Sequence, residues 1–342
     1  MKTIKASGVG NPIDRIEGHL KVTGKAKYAS EFPVENMVYA QGVNSTIAKG
    51  KIKDIDATAA ENLDGVIKVI TFKNAEKLKN YSEEMTSFSL ETVVPALQDQ
   101  KVHYYGEYVA CVVAETFEQA QYASRLVKVT YEEETPDIHL EENREKAYKP
   151  SDSADFNRGD VDAGMREAEV RVEQMYTTPI EHHHPMELHA AIVNWDNGKL
   201  KMYANQQILD TATTAIADTF GIAKEDVQVI TPYIGGGFGS KLNVFKHITL
   251  ATMASKMIGR PVQITVTRQQ MVTNTGLRQF NKQKMRLGAK KDGTLTALAH
   301  HTTSHTAKNL QYFEACGNVS KMLYKTPNNS VTHRLIPLNI QV

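Results

Sequence analysis

Between Ile234 and Lys241 the chain reads Ile-Gly-Gly-Gly-Phe-Gly-Ser-Lys, with four glycines in five positions. Glycines this dense give a backbone that takes positive φ and lets a ligand approach closely, while consecutive N–H groups favour an anion. A phosphate-bearing guest is the expectation, helped by the N-terminus of the helix that follows. Two common phosphate loops are excluded. A P-loop needs Gly-Lys followed by Ser or Thr, but here Lys241 follows Ser240 and precedes Leu242. The dinucleotide pattern fails too, because the sixth position counted from Gly235 is Ser240 and no acidic residue follows a second strand at the required place. A tight turn of structural glycines is the bland alternative, and a bulky Phe238 among them argues against it.

The run from Glu181 to His189, Glu-His-His-His-Pro-Met-Glu-Leu-His, sets imidazoles beside carboxylates and so invites a metal. Its spacing opposes one, since no His-Glu-x-x-His pattern occurs and Pro185 prevents a continuous helix from presenting the side chains on one face. Hydrogen-bonding histidines are expected instead. His300, His301 and His305 fall in an alternating stretch and would point to both faces of a strand, which disfavours a shared metal. No Gly-x-Ser-x-Gly elbow is present and neither Cys111 nor Cys316 has the context of a nucleophile, so covalent hydrolysis has no support. Asn205-Gln206-Gln207 ends a strand just before a helix. Amides there donate hydrogen bonds to a ligand's oxygens, or else they form an ordinary polar loop.

Elements that would position these residues can be read from periodicity. Val38–Val43 and Val66–Ile70 are β-branched runs bounded by Gly or Asn, and Glu107–Ala114 is the nearly continuous apolar run of a strand covered on both faces. Thr116 and Gln119 match a capping box, opening a helix with Ala120, Ala123, Leu126 and Val127 on its apolar side. From Tyr131 to about Val161 the composition turns to Glu, Asp, Pro, Ser and Asn with little rhythm, which reads as a surface linker. Strands are expected again at Val170–Glu173 and Leu200–Tyr203, and Val227–Thr231 runs straight into the glycine loop. Thr211–Phe220 is helical with Gly221 as its cap. Asn243–Ile258 is expected as a second helix with Ile248, Leu250, Met253 and Met257 as its buried stripe, closed by Gly259 and by Pro261 beyond it. Pro261–Thr267 and Gln283–Leu298 supply further strands, the latter turning at Lys291-Asp292-Gly293.

Composition bounds what these elements serve. The 342 residues carry 40 Lys and Arg against 39 Asp and Glu, so no basic face announces a nucleic-acid partner. At 41% hydrophobic the chain has enough apolar residues for one large core or two ordinary ones, and charges interrupt every apolar stretch, leaving no membrane span. Met1–Gly8 has the positive charge of a signal peptide without its apolar core, so no export signal is expected here. The cytoplasm is favoured, with the periplasm open through a partner's export signal. Two cysteines, far apart, exclude a disulfide framework and a four-thiolate zinc site, and they place any iron-sulfur cluster on another chain.

These segments, taken in order, resemble the molybdopterin-binding large subunit of the xanthine dehydrogenase and aldehyde oxidase family, most closely its bacterial aldehyde oxidoreductase branch. The resemblance is carried by Arg15–Gly18 with Lys21–Tyr28, by Tyr105–Ala110 with Val113–Ala120, and by Met186–Ala191, in which Leu188 stands where the family usually has Pro. It continues through Asn205–Asp210 and through Gly235–Lys241. It implies an α+β fold: a tail over 1–15, an α/β hammerhead domain over 16–135, a linker over 136–160, and over 161–342 the first part of a molybdopterin-binding domain. It also implies a molybdenum–molybdopterin cofactor, the cytosine dinucleotide form included, held by Gln207, Gly236, Gly237, Phe238 and Gly239 with no direct protein ligand to the metal. By this resemblance Phe238 and Gly239 lie against an oxygen ligand of the metal and Gln207 hydrogen-bonds an oxo group.

The reaction implied is oxidation of aldehydes or N-heterocycles with water as the oxygen source. Electrons would leave through an iron-sulfur subunit and an FAD subunit, whose clusters and flavin lie on those partner chains. Leu242 lines the substrate pocket where purine-oxidising relatives carry a glutamate, and an apolar residue there points to aldehydes. The resemblance stops at Val342, before the family's substrate arginine and its glutamate base, so no catalytic residue is expected within this chain. A further chain would supply that half, the isolated chain would be inactive, and self-association is a fair outcome. Two other readings stay open: a scaffold that keeps the fold and binds no molybdenum, and a nucleotide-binding protein unrelated to molybdenum.

Overall fold

The computed structural model describes residues 10, 12–79, 81–82 and 84–341, so the Met1–Gly8 reading lies outside the described residues. The fold is α+β, organised on two main sheets. The first has seven strands in the order Val227–Ile230, Lys199–Ala204, Ala190–Asp196, Val262–Thr265, Val38–Asn44, Tyr108–Ala114, Val66–Thr71. Strands from early and late sequence therefore share one sheet. They meet where Val38–Asn44 pairs in parallel with Val262–Thr265, in the register Val38 to Val262 and Ala40 to Ile264. Every residue of Tyr108–Ala114 is buried, as its unbroken apolar run requires of a strand covered on both faces. The capping box at Thr116 forms, with Gln119 N–H donating to Thr116 Oγ1 at 3.2 Å and Thr116 N–H to Gln119 Oε1 at 3.0 Å.

The helices Leu209–Phe220 and Lys246–Ile258 pack on this sheet and contribute Ile216, Ile248, Leu250 and Met253 to the largest core cluster, beside Met202 and Ile264. Each ends in a left-handed glycine, Gly221 at φ 68° and Gly259 at φ 67°. The second helix begins at Lys246 and not at Asn243. Residues 243–244 stay outside the helix because Val244 forms a parallel bridge with Val93 and its carbonyl accepts from Val94 N–H at 2.8 Å, while Asn243, in a bend, donates through Nδ2 to the Ser89 carbonyl.

The second main sheet has five strands in the order Phe156–Arg158, Asn328–Leu338, Leu295–Ala307, Asn281–Ala289, Val170–Thr178. The 136–160 stretch, unrhythmic in sequence, is threaded along this sheet. Phe156–Arg158 pairs antiparallel with Asn328–Leu338, and Tyr148 bridges to Leu335. No helix among the described residues is long and apolar enough to cross a membrane.

Candidate functional site

The glycine loop leaves the edge strand Val227–Ile230 and folds back over the segment that follows Lys199–Ala204. Its backbone turns at positive φ three times, at Gly236 (93°), Phe238 (55°) and Gly239 (103°). Gly237 is needed for close approach, because a Cβ there would lie 2.5 Å from Gln207 Oε1. Gln207 reaches the loop because its N–H donates to the Lys241 carbonyl at 2.7 Å, holding the two segments side by side. Its side-chain Oε1 accepts from Gly239 N–H at 3.0 Å and Lys241 N–H at 3.2 Å. Two donors on one oxygen fix the amide orientation, and Nε2 makes no hydrogen bond among the described residues.

The remaining polar groups of the loop divide by direction. Ser240 N–H donates to the Gly237 carbonyl at 2.9 Å, Arg278 Nη2 donates to the Phe238 carbonyl at 3.1 Å, and His189 Nε2 lies 2.9 Å from the Ser240 carbonyl. By contrast the N–H groups of Gly236, Gly237 and Phe238 have no partner among the described residues. Three successive N–H groups are thus unused beside the Gln207 amide, on a stretch with no Cβ at its two glycines, and such donors are able to take an anionic or oxo-bearing group. Phe238 is 66% exposed. The helix N-terminus expected to assist is displaced, since the helix starts at Lys246, after the turn and bends of residues 241–243 and the Val244 bridge.

Glu187 and Lys241 lie beneath the loop. Lys241 Nζ is 2.8 Å from Glu187 Oε2, which also accepts from Gly235 N–H at 2.8 Å. Burial pulls the Lys241 ammonium below its ordinary range, opposed by the Glu187 carboxylate. Burial likewise holds the His189 imidazole down to about 3 and His183 down to about 4, the latter with help from the Arg278 charge. His247 packs edge-on against His189 at 5.7 Å and is held well below its usual value by burial. These are neutral rings. The His182–His184 run does not converge, with the rings of His182 and His184 5.6 Å apart and tilted. His300 bonds Ser320 and Gln283, and His301 bonds Thr332. No group of three metal-ligating side chains occurs among the described residues.

Of the amide trio only Gln207 faces the loop. Asn205 is buried and donates to the Leu188 carbonyl at 2.6 Å, and Gln206 is buried against Asn243. Leu242 lines a pocket of about 290 Å³ beside Gly239, together with Phe88, His183, Phe245, Leu277 and Tyr312. A larger cavity, about 350 Å³, is floored by Glu107, Lys246 and Tyr104 and holds none of the loop's donors. The sequence reading missed the partnership of Glu187 with Lys241, signalled only by a lysine inside a glycine loop. It also missed Arg278, which bonds Glu314 at 2.9 Å and arrives from 40 residues downstream without any local pattern.

A glycine-rich loop with unused N–H donors at the edge of a shared sheet is the arrangement of a ligand-binding protein. Residues 139–341 match the molybdopterin cofactor-binding domain family, and residues 23–135 match the aldehyde oxidase and xanthine dehydrogenase a/b hammerhead domain. The chain belongs to the xanthine dehydrogenase and aldehyde oxidase family of molybdopterin-binding proteins.

Among curated relatives it is 36% identical over 335 residues to the aldehyde oxidoreductase molybdenum-binding subunit PaoC of Escherichia coli K12, covering 97% of this chain and 44% of that protein. It is 27% identical over 305 residues to the xanthine dehydrogenase molybdenum-binding subunit of Escherichia coli O157:H7, covering 85% and 40%. The chain thus spans less than half the length of these relatives. Among solved structures, quinoline 2-oxidoreductase from Pseudomonas putida 86 shares the fold with a TM-score of 0.84 at 23% identity, over 97% of this chain and 45% of that one. CO dehydrogenase from Oligotropha carboxidovorans does so with a TM-score of 0.83 at 24% identity, again over 97% and 45%.

Proposed function

We propose that this chain forms one wall of the cofactor site of a molybdenum-dependent oxidoreductase acting on aldehydes. The observation that carries this reading is that the N–H groups of residues 236–238 are unused among the described residues while Gln207 is held against the same loop through Gly239 and Lys241. When bound, the molybdenum–pterin group supplies the two-electron redox chemistry. The chain's own residues bind and orient it. Gln207 Nε2 and the loop N–H groups hydrogen-bond its oxygen atoms, Arg278 steadies the Phe238 carbonyl, and the exposed Phe238 ring screens the loop from water. The apolar Leu242 wall favours an uncharged aldehyde over a purine, which needs polar partners for its ring nitrogens and oxygens.

In this reading the general base and the rest of the pocket come from further polypeptide, and the iron-sulfur and FAD centres lie on partner chains, since two cysteines are too few to ligate a cluster. The isolated 342 residues turn over no substrate. The pterin tail in this reading is a phosphate or a cytosine dinucleotide. The test is native mass spectrometry with molybdenum and iron analysis on protein purified gently from its own source, with identification of the released pterin. A heavier complex holding molybdenum and iron supports the reading. A metal-free chain, alone or self-associated, rejects it in favour of a scaffold. In steady-state assays of the complex, aldehydes should exceed xanthine and hypoxanthine in kcat/KM, and the reverse order would reject the role given to Leu242.

A further inference from the structure

Lys241 is an ammonium with 0% of its side chain exposed, placed within a loop whose work is to present N–H donors. Among the described residues its Nζ hydrogen-bonds Glu187 alone, at 2.8 Å to Oε2 and 3.1 Å to the carbonyl oxygen. That carboxylate oxygen also takes the Gly235 N–H at 2.8 Å, and the Glu187 N–H donates back to the Gly235 carbonyl at 3.0 Å. One residue therefore grips both ends of the loop, residue 235 through its backbone and residue 241 through its side chain. The Lys241 backbone in turn sets Gln207, exchanging a 2.7 Å bond through its carbonyl and a 3.2 Å bond through its N–H.

The gripping residue is itself anchored. Arg268 donates to the carbonyls of Pro185 at 2.7 Å and Met186 at 3.1 Å, fixing the strand of chain that carries Glu187. His189, two residues on, meets the Ser240 carbonyl from the same side. A buried ion pair is a poor source of stability, because well-packed apolar residues often do as well, whereas it specifies geometry by permitting a single arrangement.

We propose that Glu187 and Lys241 are positioning residues for the cofactor: their buried pair sets the spacing of the loop's ends and thereby aims Gln207 Nε2 and the 236–238 N–H groups at one guest. This rests on the molybdenum reading above. The pair acts through the loop, because the hydrogen bonds of the two side chains go to Gly235 and to each other and not to residues 236–238, and it is told from a contribution to folding by the readouts below.

The test uses the holoenzyme with its partner chains and compares Lys241→Met, the double variant Glu187→Gln/Lys241→Met, and Met253→Ala. Met253 lies in the core and its variant serves as a matched loss of stability. Two quantities are read: molybdenum retained per chain, and amide hydrogen exchange of the segments 203–208 and 232–244. Lys241→Met should lose about 10- to 100-fold in cofactor retention, the usual cost of removing an outer partner of a bound group. It should also speed exchange in both segments by about tenfold. The double variant, with no unpaired charge left, should recover its melting temperature but not its molybdenum or its protection. Met253→Ala should keep both. Wild-type retention and exchange in Lys241→Met, recovery of molybdenum in the double variant, or an equal loss in Met253→Ala would overturn the proposal. Wild-type enzyme without molybdenum would reject the reading of function, and the exchange comparison would still decide whether the pair positions the loop.

Discussion

Phe238 holds a left-handed backbone at φ 55°, a conformation that a residue with a large side chain adopts only when its surroundings insist. Here the insistence comes from Arg278 on its carbonyl and from Gln207 on the next N–H. Gly237, one position earlier, tests how finely that arrangement is set. An alanine there would place Cβ 2.5 Å from Gln207 Oε1, and since Gln207 is exposed, its amide can swing away. The two N–H bonds it accepts would be lost. Gly237→Ala should therefore cost only about 1 kcal/mol of stability yet abolish most cofactor retention. A urea titration beside a molybdenum assay checks this, and a variant that keeps its molybdenum contradicts the assigned role. His189 makes a second prediction at this scale. Its folded value near 3 lies below the ordinary histidine value of 6.5 because the ring is buried, so in the window between them the unfolded chain binds a proton that the folded chain does not. Stability therefore rises with pH and falls as pH drops through 6.5, by up to about 1.4 kcal/mol per pH unit for one such ring. Replacing His189 with Gln, which keeps a donor for the Ser240 carbonyl, should flatten the pH dependence of urea unfolding between about pH 7 and pH 5. An unchanged slope would count against a neutral buried ring.

Elements with local punctuation are those that the sequence displays most openly. The Gly259 cap is an example. Its φ is 67° and nothing lies within 4 Å of the Cβ an alanine would add, so Gly259→Ala strains the backbone and meets no neighbour. A loss of about 1–2 kcal/mol follows from the left-handed penalty alone, with no change in cofactor binding. Chemical denaturation of that variant reads it directly, and a neutral effect would mean the helix ends differently. The capping box at Thr116, the turn at Gly293 and the glycine loop were legible for the same reason: residues near in sequence dictate their shape. The start of the Lys246 helix was not, because what holds Val244 out of the helix is its bridge to Val93, from far earlier in the chain. Phe156–Arg158 was hidden likewise, since three residues in a polar stretch become a strand only by pairing with Asn328–Leu338. The amides Asn205-Gln206-Gln207 at the end of a strand are a visible signal, but which of the three meets the loop is decided by the tertiary bonds of Gln207 to Gly239 and Lys241. Arg278 and the Glu187–Lys241 pair depend on tertiary proximity and leave no period to count.

At the scale of the whole molecule, early and late sequence are joined more firmly than two matched family segments suggest. The seven-stranded sheet crosses from one to the other at Val38–Asn44 and Val262–Thr265. Behind that seam a buried ion pair spans the same division, Lys246 Nζ lying 2.5 Å from Glu107 Oε1. Burial alone would raise the Glu107 carboxyl, but Lys246 and His103 outweigh it and hold it down to about 2. Gln270 adds a third tie, donating to the Gly42 carbonyl at 2.9 Å and to Asn44 Oδ1 at 2.8 Å. Separating the halves would expose an unpaired strand edge on each side and strand a buried charge, so partial unfolding at this seam carries nearly the cost of unfolding the whole. Calorimetry should therefore show one cooperative transition for the described fold, and not the two expected of independent domains. Glu107→Ala, which leaves the Lys246 ammonium buried without its partner, should lower stability by about 3–5 kcal/mol while the transition stays single. Two resolved transitions in the wild type, or a Glu107→Ala variant that splits into two, would show that the halves fold apart and that the shared sheet does not couple them.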